Sequence, residues 1–157
     1  MRVMSEAASK PGYLISTLDN RCPRCRRGKI FANRNPYKKG LLKMNETCPV
    51  CAQPTELEVG FYYGTAYVSY ALTVAFSVAT FLAWYVVFGF SIEDGDHRLF
   101  WWLGINSVLM ILLQPILMRM SRSMWLSWFV KYDPDWETHE IKEEVTERVI
   151  KEQMNNW

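Results

Sequence analysis

The chain has 157 residues, with 18 Lys and Arg against 16 Asp and Glu and half of its residues apolar. The apolar residues are unevenly spread: 34 consecutive positions between Glu58 and Glu93 carry no Asp, Glu, Lys or Arg, and neither do 20 between Arg98 and Arg119. A soluble protein this small has no core that hides two such stretches, whereas each is long enough to cross a hydrocarbon layer, which takes about 20 residues. Mean hydropathy over the whole chain is close to zero only because two charged ends average against two oily segments.

The first residues contain Glu6 and Lys10 and no apolar run, so no secretory signal is expected. Residues 1–20 read as an N-terminal tail, within which Tyr13, Leu14, Ile15 and Leu18 are expected to pack as a short segment. Residues 21–57 hold all four cysteines in a setting rich in Arg, Lys, Asn, Pro and Gly. They contain too few large apolar side chains for an independent core, so a metal or a covalent link must hold them together.

Residues 61–119 read as a transmembrane hairpin. Its first helix is expected at about 63–88, with Phe61, Tyr62 and Tyr63 at one end and Trp84 and Tyr85 near the other, where rings favour the headgroup level. Its second is expected at about 100–118, opening on Trp101 and Trp102 and carrying Pro115, which cannot donate the helix hydrogen bond. The short connection through Glu93, Asp94, Gly95, Asp96 and His97 makes the two antiparallel neighbours. Residues 120–157 are expected as an interfacial continuation with Trp125 and Trp128, a break at Tyr132-Asp133-Pro134-Asp135, and a charged helix over 138–154 with Ile141, Val145 and Val149 on one stripe.

Charge sets the expected orientation. Residues 1–60 hold 11 basic and 5 acidic residues, and Arg119, Arg122 and Lys131 follow the second span. Lys and Arg near helix ends stay inside, so both termini are expected to be cytoplasmic, in a multi-pass protein of the bacterial inner (plasma) membrane.

The cysteines form two C-x-x-C pairs, Cys22-Pro23-Arg24-Cys25 and Cys48-Pro49-Val50-Cys51, separated by 22 residues. Each pair suits a knuckle that turns two thiolates towards one ion, and a reducing compartment favours metal over disulfide. Four sulfurs complete a tetrahedral shell with no open position, which points to a structural zinc rather than to catalysis. The expected fold is therefore a small zinc-ribbon-like metal domain on an all-α two-helix transmembrane hairpin, with a C-terminal amphipathic helix. Arg21, Arg24, Arg26, Arg27 and Lys29 surround the first knuckle, where they offset thiolate charge and face solvent or lipid headgroups.

Other residues add little chemistry. Tyr63, Tyr67 and Tyr70 share a helix face and read as aromatic belt and helix packing. Asn106, Ser107 and Gln114 lie at membrane depth and are expected between the helices. His97 and His139 both lie outside the spans, and no nucleophile–His–acid set, phosphate loop or nucleotide fingerprint occurs.

The residues around the knuckles resemble the bacterial membrane family catalogued as domain of unknown function 983, in its Bacteroidetes-type form. The likeness is carried by Cys22-Pro23-Arg24-Cys25 with Gly28-Lys29-Ile30-Phe31, by Asn35-Pro36-Tyr37 and by Cys48-Pro49-Val50-Cys51. Gly60-Phe61-Tyr62-Tyr63-Gly64 and Tyr67-Val68-Ser69-Tyr70-Ala71-Leu72 extend it, so that it covers about residues 20–133. One departure is Ala52, where a Gly commonly follows the second knuckle. Some related members are encoded near genes for respiratory oxidase assembly, which implies an accessory role.

The expected function is a non-enzymatic accessory or assembly factor of a larger membrane complex, such as a respiratory one, with the bilayer and that complex as partners. No nucleic acid partner is expected, and no small-molecule substrate is identified. The alternatives are a membrane-bound rubredoxin-like carrier with Fe on the same four sulfurs, and a metal-delivery or thiol protein.

Overall fold

The computed structural model describes residues 12–89 and 95–141. Its regular elements are helices α1 (Tyr13–Leu18), α2 (Thr65–Phe88) and α3 (Arg98–Phe129), with a 3-10 turn at Phe61–Gly64 leading into α2.

The segments Phe61–Phe88 and Arg98–Phe129 are long and apolar enough to cross a membrane. α2 ends at Gly89, whose φ of +72° takes the chain out of the helix where a Cβ would be strained. α2 and α3 run antiparallel: Arg98 Nη1 donates to the Phe88 carbonyl at 2.8 Å, and Phe81 meets Trp102 edge to face. Farther along the pair, Trp125 Nε1 donates to the Phe61 carbonyl at 2.8 Å. Gly64 is required there, because a Cβ would stand 2.2 Å from the Trp125 ring. In the middle of the pair the buried Asn106 donates from Nδ2 to Ser77 Oγ at 3.3 Å, and its Oδ1 faces Thr80 Oγ1 at 3.1 Å. These are the partners that a polar side chain needs at apolar depth. Ser107 instead donates to Leu103 on its own helix. Tyr63, Tyr67 and Tyr70 face outward, each more than 70 % exposed, alongside Val78, Leu82, Val86 and Val87.

α3 differs from the expected span in length. Its 32 residues continue through Pro115 to Phe129, about 48 Å at 1.5 Å per residue. The excess over the ~30 Å hydrocarbon thickness carries the side chains expected on an interfacial continuation. Arg119, Ser121, Ser123 and Leu126 are buried there; Leu126 joins the core of the cysteine-bearing segment, and Arg119 donates to its carbonyls.

The cysteine segment folds without strands among the described residues. Three isolated antiparallel bridges, Arg21 with Lys29, Phe31 with Met44 and Thr47 with Pro54, take the place of a ladder. Its core joins the four cysteines, Ile30, Phe31 and Leu57 to Phe61, Leu126 and Val130. The core is thus shared with the helices.

α1 reverses the expected packing of the N-terminal segment. Ser16 and Thr17 are buried, while Leu14, Ile15 and Leu18 are exposed by 71, 64 and 63 %. Tyr13 Oη lies 2.9 Å from Ser127 Oγ and ties α1 to α3. Of the helix expected over 138–154, residues 138–141 are described and are not helical; the rest lies outside the described residues.

Candidate metal centre

Cys22, Cys25, Cys48 and Cys51 converge as the sequence predicts. All four are buried and none is in a disulfide. Cys22 Sγ lies 3.7 Å from Cys51 Sγ, Cys25 Sγ lies 3.8 Å from Cys48 Sγ, and the four sulfurs lie within 4.8 Å of one another. A disulfide needs about 2.05 Å. A tetrahedron with metal–sulfur bonds of about 2.3 Å has edges of roughly 3.8 Å. The short edges match that figure, so the donor set fits one four-coordinate ion.

The two knuckles share a backbone plan. Arg26 N–H donates to the Cys22 carbonyl at 2.7 Å, and Ala52 N–H to the Cys48 carbonyl at 2.9 Å. The donor residue is left-handed in both, with φ of +54° at Arg26 and +56° at Ala52. Glycine suits such a position, so the Ala52 departure does fall on a strained residue. Main-chain amides point at the sulfurs: those of Cys25 and Gly28 towards Cys22 and Cys25, and those of Cys51 and Gln53 towards Cys48 and Cys51. Amide donors favour thiolate over thiol, and they orient ligands as an outer shell does. The hydrogen bond with Cys22, followed by those with Cys48 and Cys51, holds the Cys25 thiol far below the usual range. The bond with Cys22 leads in pushing Cys48 down to about 6, while the contacts with Cys25 and Cys48 push Cys22 and Cys51 above the usual thiol range, so the four share their protons.

Gly28 serves a purpose other than turning the chain. Its Cα is the point where the first knuckle meets the second, and a Cβ there would stand 2.4 Å from Cys48 Sγ. The Gly28 carbonyl accepts from Cys22 N–H at 2.7 Å, which holds the loop closed on the sulfur cluster.

The basic residues around the first knuckle have specific partners. Arg24, between the first two ligands, is 5 % exposed. Its Nη2 donates to the His139 carbonyl at 2.6 Å and lies 3.5 Å from Asp133 Oδ2, while Asp133 N–H donates back to the Arg24 carbonyl at 3.1 Å. Arg26 stacks on Tyr132 at 4.2 Å, and Arg27 lies 3.7 Å from Glu137. Arg21 and Lys29 both bind Asp19, and the Lys29 bond foremost holds its carboxyl below the usual range. These arginines fasten the knuckle to the chain after α3.

Two further arginines escaped the sequence reading, where they were only charges flanking a span. Arg119 is 3 % exposed and donates to the carbonyls of Leu41, Arg34 and Asn35 at 2.7, 3.2 and 3.1 Å, with its guanidinium 4.8 Å from the Phe31 ring centre. Arg122 donates to the Leu42 carbonyl at 3.1 Å. Nothing in a linear sequence pairs a helix arginine with main-chain carbonyls some 80 positions away.

No match occurs among curated proteins or solved structures. A family model described as "Protein of unknown function (DUF983)" matches residues 38–130, more than half of the chain, taking in the second knuckle, α2 and α3. The chain belongs to the DUF983 family.

Proposed function

We propose that this protein is a membrane-anchored, non-enzymatic accessory or assembly factor, built as a zinc-ribbon-like module on a transmembrane hairpin. The observation that carries this reading is the closed shell of four buried sulfurs, whose core continues into Phe61, Leu126 and Val130 at the ends of the two apolar segments. Cys22, Cys25, Cys48 and Cys51 would hold one zinc ion. Such a shell leaves no position for water or substrate, and the ion's binding energy becomes folding energy for a module with little core of its own.

Two exposed surfaces support a partner-binding role. The outward apolar faces of α2 and α3 suit lipid or the helices of a larger membrane complex, such as a respiratory one. Leu14, Ile15 and Leu18 on α1 form a second apolar face at the far end of α3. On this reading both termini and the metal module are cytoplasmic, which the basic residues of 1–60 and those after the second span support. An iron centre on the same sulfurs, making a one-electron carrier, is the competing reading.

The test is topology with co-purification. A reporter active only outside the cytoplasm should work near Gly95 and fail at either terminus. The tagged protein in mild detergent should bring down a membrane protein, and a Leu14→Ser/Leu18→Ser variant should lose it. A wild-type protein that purifies as a lone monomer would count against the accessory role.

A further inference from the structure

Between Asp19 and Glu46 the chain carries nine Lys and Arg and no acid. Five of them, Arg21, Arg24, Arg26, Arg27 and Lys29, are engaged by Asp19, Asp133, Tyr132 and Glu137 as described above. The other four, Arg34, Lys38, Lys39 and Lys43, are exposed and form no ion pair among the described residues. All four lie on the loop 34–43.

This loop is a built structure. Asn35 Oδ1 accepts from the Tyr37 amide at 2.8 Å, closing an Asx turn over Pro36. Asn33 Nδ2 donates to the Lys39 carbonyl at 3.1 Å, and Gly40, at φ +75°, accepts from Lys43 N–H at 3.0 Å. Arg119 and Arg122 hold the Arg34, Asn35, Leu41 and Leu42 carbonyls from α3. Tyr37 reaches farthest: its hydroxyl donates at 2.8 Å to the carbonyl of Leu112. That carbonyl is next to the one that Pro115 leaves without its helical amide. From Leu112 to Arg119 is about 10 Å along the helix axis. The loop therefore lies beside the last turns of the apolar span, with an amphipathic tyrosine at the depth where such rings settle.

We propose that the loop 34–43 is a headgroup site for anionic phospholipid. The phosphate would be met by Lys38, Lys39 and Lys43 with Arg34, and Tyr37 sets the loop at headgroup depth. The chemistry is that of a basic segment at the inner surface of a membrane, where each cation contributes to anionic lipid binding. The proposal rests on the membrane-spanning reading of α2 and α3. It adds that the metal module is seated on lipid of one charge class, since the module's core is continuous with Phe31, over which Arg119 lies.

The test uses the full-length, metal-loaded protein released from nanodiscs holding phosphatidylglycerol and phosphatidylethanolamine in equal amounts, with retained lipid identified by native mass spectrometry. Wild type should retain phosphatidylglycerol well above the bulk ratio. Lys38→Gln/Lys39→Gln/Lys43→Gln should return it towards that ratio, by about fivefold for each cation that contributes fully. Lys131→Gln, an exposed cation off the loop, should leave it unchanged. Wild type at the bulk ratio, or a triple variant that keeps the enrichment, would overturn the proposal. Alkaline carbonate extraction separates the two readings: a wild-type chain released as soluble protein would refute the membrane span itself.

Discussion

Gly28 and Cys48 are in contact across the two knuckles, and a Cβ on the glycine would stand 2.4 Å from Sγ and 3.2 Å from Val50 Cγ2. The sulfur cannot give way without leaving the tetrahedron. Gly28→Ala should therefore cost at least about 1–3 kcal/mol, the range for overpacking a tight core. Metal content of the purified variant should fall well below wild type while membrane insertion is unchanged. Full metal retention in Gly28→Ala would show that the knuckles are not this close.

Ala52 offers the opposite change. It holds φ +56° with an exposed methyl group that takes no part in the core, so Ala52→Gly should stabilise the module by about 1 kcal/mol. Slower metal loss to a chelator is the readout. Arg26→Gly, at the matching position, should gain less, because it removes the stacking on Tyr132.

Arg119→Gln should release the loop 34–43. Three carbonyls lose a charged donor, and hydrogen bonds to charged groups contribute about 1.5–3 kcal/mol each when intact, with solvent recovering part once the released loop opens. A net loss of roughly 2–3 kcal/mol is expected, read as new protease cleavage between Arg34 and Lys43. Arg122→Gln, which loses one carbonyl bond, should be milder.

Much of the architecture is legible in the chain because its signals are one-dimensional. Uncharged runs between Glu58 and Glu93 and between Arg98 and Arg119 mark the helices, and paired C-x-x-C motifs mark the four sulfurs. The ribbon's strands were expected from that spacing, but the described residues form only single bridges. The end of α3 near the Tyr132-Asp133-Pro134-Asp135 break is legible, but the burial of Arg119, Ser121 and Ser123 is not, because they look like surface residues until the fold covers them. For the same reason Arg24 reads as charge near thiolates and is found fastening Asp133 and His139. Leu14, Ile15 and Leu18 look like core and face outward, since none of the described residues covers them.

Acid should weaken the anchoring of the first knuckle. The Asp19 carboxyl is depressed by Lys29, then Arg21, so its contribution is complete above the unfolded value near 3.8 and is lost as pH falls through the lower folded value. The pair is exposed, and about 1 kcal/mol is the ceiling for it. Asp19→Asn should therefore be less stable than wild type at neutral pH, with the gap closing as pH drops below 3.8. A constant gap across that range would place the effect elsewhere.

The central claim is one ion on four sulfurs, and elemental analysis with an absorption spectrum tests it most directly. Detergent-purified wild type should hold one zinc per chain and be colourless, and Cys25→Ser or Cys48→Ser should lose the zinc and become protease-sensitive over 21–57 while the hairpin still inserts. A chain without stoichiometric metal, or cysteine variants with wild-type metal content and protease resistance, would contradict the site. A red, iron-loaded protein would contradict the structural zinc and favour electron transfer.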